Sequence, residues 1–141
     1  STLDRSSAAS DVYKRQVHDR EAHAEMYELL RQYRPRGVLH CYSGSAEDAA
    51  WLTAQGMALG FGGAVTYKGA KRAAKVLAMV PHELAVLETD CPYMSPEPVR
   101  GTRNDSRNIA HVAAKIGEIW QMDAQSVLDL TAENAKRIFN Q

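Results

Sequence analysis

Two carboxylates close the apolar run Leu84-Ala85-Val86-Leu87-Glu88-Thr89-Asp90-Cys91-Pro92-Tyr93, and two histidines, His18 and His40, end shorter apolar runs upstream. Four consecutive apolar residues read as a strand buried on both faces, the pattern of a parallel sheet. Glu88 and Asp90 are two positions apart, so their side chains share one face of that strand. In parallel α/β folds the carboxyl ends of strands meet on one rim, where sites are built. Two imidazoles and a carboxylate converging there suit a divalent ion such as zinc, manganese or magnesium. Such an ion lowers the pKa of its water from about 15.7 to about 7, supplying hydroxide at neutral pH. The plainer alternative gives Asp90 only a turn-capping role before Pro92 and each histidine an ordinary place in the core or on the surface.

Other reactive residue types carry weaker signals. Gly60-Phe61-Gly62-Gly63 lacks the spacing of a dinucleotide fingerprint. Glycine at a strand end more simply permits close packing or substrate approach. No nucleophile elbow surrounds Ser43 or Ser45, which read as loop and cap residues. Cys41 and Cys91 read as packing residues, since nothing marks a redox pair. Arg100, Arg103 and Arg107 cluster in or just after the rim loop, where guanidinium groups suit phosphate or remain solvated charge. His23 and His111 fall on helical stretches away from strand ends and are expected to be exposed. His82 falls in a turn.

The elements that must position these groups alternate along the chain. Ala22, Met26, Leu29, Leu30 and Tyr33 follow helical spacing, ended by Pro35 and Gly37. Val38–Tyr42 reads as a strand, and Ser45 caps the next helix with Asp48 three residues on. Met57–Phe61 is strand-like. Ala70, Ala73, Ala74, Leu77 and Ala78 form a helical stripe stopped by Pro81. The acid-tipped strand follows, then a long loop from Asp90 to Asn104 and a helix marked by Ile109, Val112, Ala113, Ile116 and Ile119. Asp123 and Thr131 are expected to cap two short helices at the end. Repeated β-α alternation implies a parallel sheet with covering helices. Three strands are clear, with a vestigial fourth at Val17-His18.

Composition bounds the rest. At 141 residues the chain is one domain's worth and has the make-up of an ordinary globular protein. No apolar run approaches the roughly 20 residues of a membrane span. Lysine plus arginine equal aspartate plus glutamate at 17 each, so a broad nucleic-acid face is not indicated, while a small anion or a chain end is compatible. Two cysteines make no disulfide framework, which favours a reducing, cytoplasmic location. Ser1–Gln16 is rich in serine and arginine without apolar periodicity and reads as disordered or foreign to the domain of residues 17–141.

The chain resembles the second half of a TatD-family metal-dependent hydrolase. The resemblance rests on His18-Asp19-Arg20-Glu21-Ala22, Gly37 to Ser45, Gly60 to Gly63, Leu87 to Tyr93, Arg100 to Asn104 and Thr131 to Phe139, in the family's order. It implies an α/β fold: a partial TIM-type (β/α)8-barrel, roughly the last four β/α units of a fold that takes about 250 residues when complete. It implies a two-metal site (zinc, manganese or magnesium) that hydrolyses phosphodiesters, with deoxyribonucleases among its members. His18 and His40 would ligate one metal and Asp90 the other. Asp90 would also accept a proton, Glu88 would orient a ligand from behind, and Arg100, Arg103 and Asn104 would face the substrate, a small anion or a nucleic-acid end. The family's His-x-His pair and its metal-bridging acid have no counterpart here, and Asp105-Ser106 stands where the family often has an acid followed by proline. The expectation is a fragment with an uncovered inner face and exposed sheet edges prone to self-association, weakly active or inactive alone. The rivals are a metal hydrolase of amide or ester bonds and a non-catalytic half-barrel module.

Overall fold

The computed structural model of the chain describes residues 15–18 and 22–139. Strands and helices alternate in them: β1 (Arg15–His18), α1 (His23–Tyr33), β2 (Gly37–His40), α2 (Ala46–Ala54), β3 (Ala58–Phe61), α3 (Lys71–Met79), β4 (Ala85–Leu87), α4 (Ile109–Trp120) and α5 (Ala124–Phe139). The strands form one parallel sheet in the order β1-β2-β3-β4. The architecture is thus the expected α/β alternation. The first strand is longer than the single residue foreseen before His18, because Arg15 and Gln16 pair with Gly37 and Val38. The expectation of a disordered or foreign opening segment otherwise concerns residues 1–14, which lie outside the described residues.

Local chemistry explains most boundaries. Arg34 ends α1 in the left-handed region at φ 41°, just before Pro35. Ser45 caps α2, its Oγ accepting from the Asp48 backbone N–H at 3.1 Å and donating to Asp48 Oδ2 at 2.9 Å. In α3 the buried residues are Val76 and Leu77, so the expected alanine stripe is only partly the packed face. Asp123 caps α5 by accepting from the Ser126 N–H at 2.9 Å. Thr131 caps nothing. It lies inside one 16-residue helix, buried, with its hydroxyl donating to Val127 O at 2.7 Å. A mid-helix threonine satisfied by the preceding turn does not break the helix, so the two expected short helices are one.

The sheet has two different faces, as the period-2 alternation of strands requires. Leu39, Leu59, Phe61 and Ala85 turn toward the helices and join Leu52, Leu77, Val112 and Ile116 in the main core. The alternate residues Val38, Ala58 and Val86 form a second buried cluster with Ile138, flanked by Leu84 and Ala135. This face was expected to stand uncovered. Instead Val38, Ala58 and Val86 are 3%, 0% and 6% exposed, because the last turn of α5 supplies Ile138 over them. Toward the carboxyl ends of the strands the same face continues as His40, Gly60 and Glu88. No helix among the described residues is long and apolar enough to cross a membrane.

Candidate metal centre

Strand register brings the predicted ligands together. His18 and His40 are direct partners at the ends of β1 and β2, with ring centroids 5.1 Å apart. Gly60 pairs with Val86 across β3 and β4. Glu88, two residues beyond Val86, therefore projects from the same face and reaches back over Gly60. Its Oε1 comes to 3.0 Å from His40 Nδ1. His40 Nε2 faces Asp90 Oδ1 at 3.9 Å. A carboxylate behind one ring nitrogen calls for the proton on Nδ1, which leaves the Nε2 lone pair directed toward Asp90.

Gly60 makes this reach available. A Cβ there would run into Glu88 Oε2 and would sit 3.3 Å from the Cys41 backbone nitrogen. Of packing and substrate approach, packing accounts for this glycine-rich stretch. Gly62 leaves room for the Glu88 carbonyl at 3.2 Å, and Gly63 for that of Met94. Burial pushes the Glu88 carboxyl above its ordinary range, more than His40 and the Cys41 N–H pull it down. Although Oε1 is at hydrogen-bond distance from Nδ1, it is buried without a hydrogen bond of good geometry. Burial, helped by Glu88 and Asp90, also lifts the Cys41 thiol to about 11, which keeps it protonated and unreactive at neutral pH.

Asp90 sits in the left-handed region at φ 56°, a conformation aspartate tolerates better than most residues. The loop holding it there is tied by Asn104. That side chain is 3% exposed, and its Nδ2 donates to Thr89 O and Tyr93 O, both at 2.8 Å. Its Oδ1 accepts from Asn108 Nδ2 at 3.0 Å, and its backbone N–H donates to Pro92 O at 2.9 Å. With donors and acceptor all engaged by protein, Asn104 shapes the Asp90 turn and does not offer itself to a substrate, contrary to expectation. The arginines separate as well. Arg107 is committed to Asp105 through contacts of 3.0 and 2.8 Å, which hold the Asp105 carboxyl down at about 2. Arg100 lies 3.8 Å over the Tyr67 ring and 3.9 Å from Glu97. Arg103 is exposed. Cys91 is exposed too, not the packing residue expected, whereas Cys41 is half-buried with its thiol 3.9 Å from Met94 Sδ. His23, expected to be exposed, is half-buried and stacks on Tyr27.

Imidazole, imidazole and carboxylate are the right donors for a divalent ion, and a buried carboxylate behind His40 is what such a ligand needs. The set is short in number: among the described residues no three histidine, cysteine or acidic side chains stand close enough to hold an ion by themselves.

The family model described as TatD related DNase matches residues 8–140, beginning inside the opening segment set apart above. The chain is 36% identical over 126 residues to an uncharacterized metal-dependent hydrolase, YabD of Bacillus subtilis, covering 87% of this chain and 49% of that one. It is 31% identical over 127 residues to the uncharacterized metal-dependent hydrolase YcfH of Escherichia coli, covering 88% and 48%. Its fold matches the crystal structure of YJJV, a TatD homologue from Escherichia coli, with a TM-score of 0.81 and 29% identity over 89% of this chain and 49% of that one. The chain spans about half the length of the curated relatives it matches.

Proposed function

The chain belongs to the TatD family, and on that premise we propose that it carries half of a metal-dependent hydrolase site that cleaves phosphodiesters, with DNA as the substrate class. The observation that supports this most is the line Glu88–His40–Asp90 on one face of the sheet, with contacts of 3.0 and 3.9 Å. Support also comes from relatives named as metal-dependent hydrolases. His18 and His40 would hold one divalent ion and Asp90 the other, and the bound ions would supply water of lowered pKa and positive charge to a phosphodiester. The chain's own residues do the rest. Glu88 fixes the His40 ring and its tautomer. Asp90, half-exposed at the rim, accepts the proton released by the attacking water. Arg103 offers an exposed guanidinium to the substrate's phosphate. Two ions complete the site in this reading, and with only these ligands the chain alone turns over slowly or not at all. The strand edges of β1 and β4, which pair with no further strand among the described residues, are its surfaces for self-association. Free Cys41 and Cys91 fit a reducing, cytoplasmic setting.

The test pairs metal binding with turnover. Calorimetry with manganese and zinc is run on the chain and on Asp90→Ala, beside hydrolysis of a chromogenic phosphodiester and of matched ester and amide substrates. Metal binding abolished in the variant, with any turnover confined to the phosphodiester, is the expected result. No metal binding by the parent chain sinks the reading, and turnover of amide or ester alone redirects it to another bond class.

A further inference from the structure

At the amino ends of the strands, away from the metal rim, lies an open cavity of about 390 Å³. Arg36 and Gly37 line it where the chain enters β2, Gly56 ahead of β3, and Glu83 and Leu84 where it enters β4. Arg137 and Ile138, from the last turn of α5, complete the lining. From Gly37 to His40 the chain advances about 10 Å, so cavity and metal rim are two ends of the same strands. In barrels of this type the reaction takes place at the carboxyl ends, which leaves the cavity outside the reaction site. Its size nonetheless falls within the range of about 300–1,000 Å³ that small-molecule sites occupy.

Both arginines of the lining keep donors to spare. Neither makes an ion pair among the described residues, although Glu83 shares the cavity with them. Arg137 is held at a single nitrogen. Its Nη2 donates to the Glu83 carbonyl and lies 3.4 Å from Asn134 Oδ1. Asn134 is itself buried, with Nδ2 donating to His82 O at 2.7 Å and to Ala85 O at 2.9 Å. The guanidinium is thus tied to the backbone entering β4, while Nε and Nη1 have no partner among the described residues. A group fixed in this way loses little freedom when it takes a ligand. Leu84 and Ile138, which belong to the apolar cluster on this face of the sheet, supply the cavity's apolar wall.

We propose that this cavity binds the phosphate group of a small molecule between Arg36 and Arg137, with any apolar remainder of the ligand against Leu84 and Ile138. A carboxylate has two oxygens and is filled by one guanidinium fork, whereas the terminal oxygens of a phosphate group can serve two forks at once. Glu83 opposes the anion. Two arginines less one glutamate leave the lining a single net positive charge, so binding is reversible. The site is independent of the hydrolase reading, because no residue of the candidate metal centre takes part in it.

The experiment reads binding residue by residue, without turnover. The chain, freed of metal ions on a chelating resin, is titrated with phenyl phosphate, inorganic phosphate and benzoate while amide NMR spectra are recorded. Saturable shifts are expected at Gly37, Gly56 and Leu84, with none at Ser43 or Gly62 on the opposite rim. Arg36→Gln, a change at an exposed loop residue, is expected to weaken phenyl phosphate at least about tenfold, and Arg36→Lys to recover part of the loss. Glu83→Gln tightens binding, since the opposing charge goes while the carbonyl that holds Arg137 stays. Lys136→Gln, next to Arg137 in the chain but outside the lining, leaves the affinity unchanged, and circular dichroism verifies that each variant is folded. Tighter phenyl phosphate than inorganic phosphate makes an organic phosphate the occupant, and the reverse order makes it the free ion. Both orders uphold the site. Arg36→Gln binding as tightly as the parent chain overturns the proposal, as does benzoate binding as tightly as phenyl phosphate. Shifts that spread over the surface without saturating overturn it too.

Discussion

The two faces of the sheet are made from neighbouring residues of the same strands, yet they are stabilised differently. On the helix side Leu39, Leu59 and Phe61 pack among side chains from several helices, and apolar burial dominates. On the other side Val38, Ala58 and Val86 meet Ile138, and one step further along the strands apolar packing gives way to His40, Gly60 and Glu88. There a carboxyl is buried at a cost, and that burial raises the Glu88 pKa above its ordinary range. One face holds the fold together, and the other gives up part of that stability to place a carboxylate behind the His40 ring.

Substitutions at adjacent positions test this division. Leu59→Ala, fully buried on the helix side, is expected to cost about 2–5 kcal/mol of stability in urea denaturation while leaving the geometry around His40 intact. Gly60→Ala, one residue on, drives a methyl into Glu88 and is expected to cost about 1–3 kcal/mol by overpacking. Unlike Leu59→Ala, it should also shift the imidazole resonances of His40 in NMR spectra. Asn104→Ala strips partners from the carbonyls of Thr89 and Tyr93 and should cost about 1–3 kcal/mol, with faster amide exchange confined to the Asp90 loop. Glu88→Gln keeps the shape and removes the buried ionisable group. Stability at neutral pH should not fall, whereas metal affinity measured by calorimetry should drop by about 10–100-fold. A variant that loses stability without losing metal affinity would erase the distinction between the faces.

The smallest effect belongs to the surface. The Asp105 carboxyl has its folded pKa depressed to about 2 by Arg107. Its contribution is therefore present above the unfolded value near 3.8 and is lost as pH falls toward about 2. Asp105→Asn should lower the thermal midpoint slightly at neutral pH and leave it unchanged near pH 2.

The sequence was most legible where pattern and chemistry coincide. The acid-tipped strand, the Ser45 cap and the β-α alternation are all written in local signals, and register alone brings His18 beside His40. β1 was harder to see because a half-exposed edge strand needs no apolar run, so Gln16 concealed it. Thr131 resembled a cap because a hydroxyl that bonds its own preceding turn has the same residue type as one that begins a helix. Asn104 stood among arginines in a rim loop, and only the fold reveals that its amide is turned inward.

Gly60 and Glu88 have a consequence for how this sequence can change. The space that glycine leaves is occupied by the carboxylate of another strand, so neither position is free to vary while the other stays fixed. A larger residue at 60 is tolerated only once the side chain at 88 has shortened, and by then His40 has lost its brace. The two positions, far apart in the chain, are coupled through one contact. Libraries meant to retarget this scaffold should vary them jointly or leave both alone.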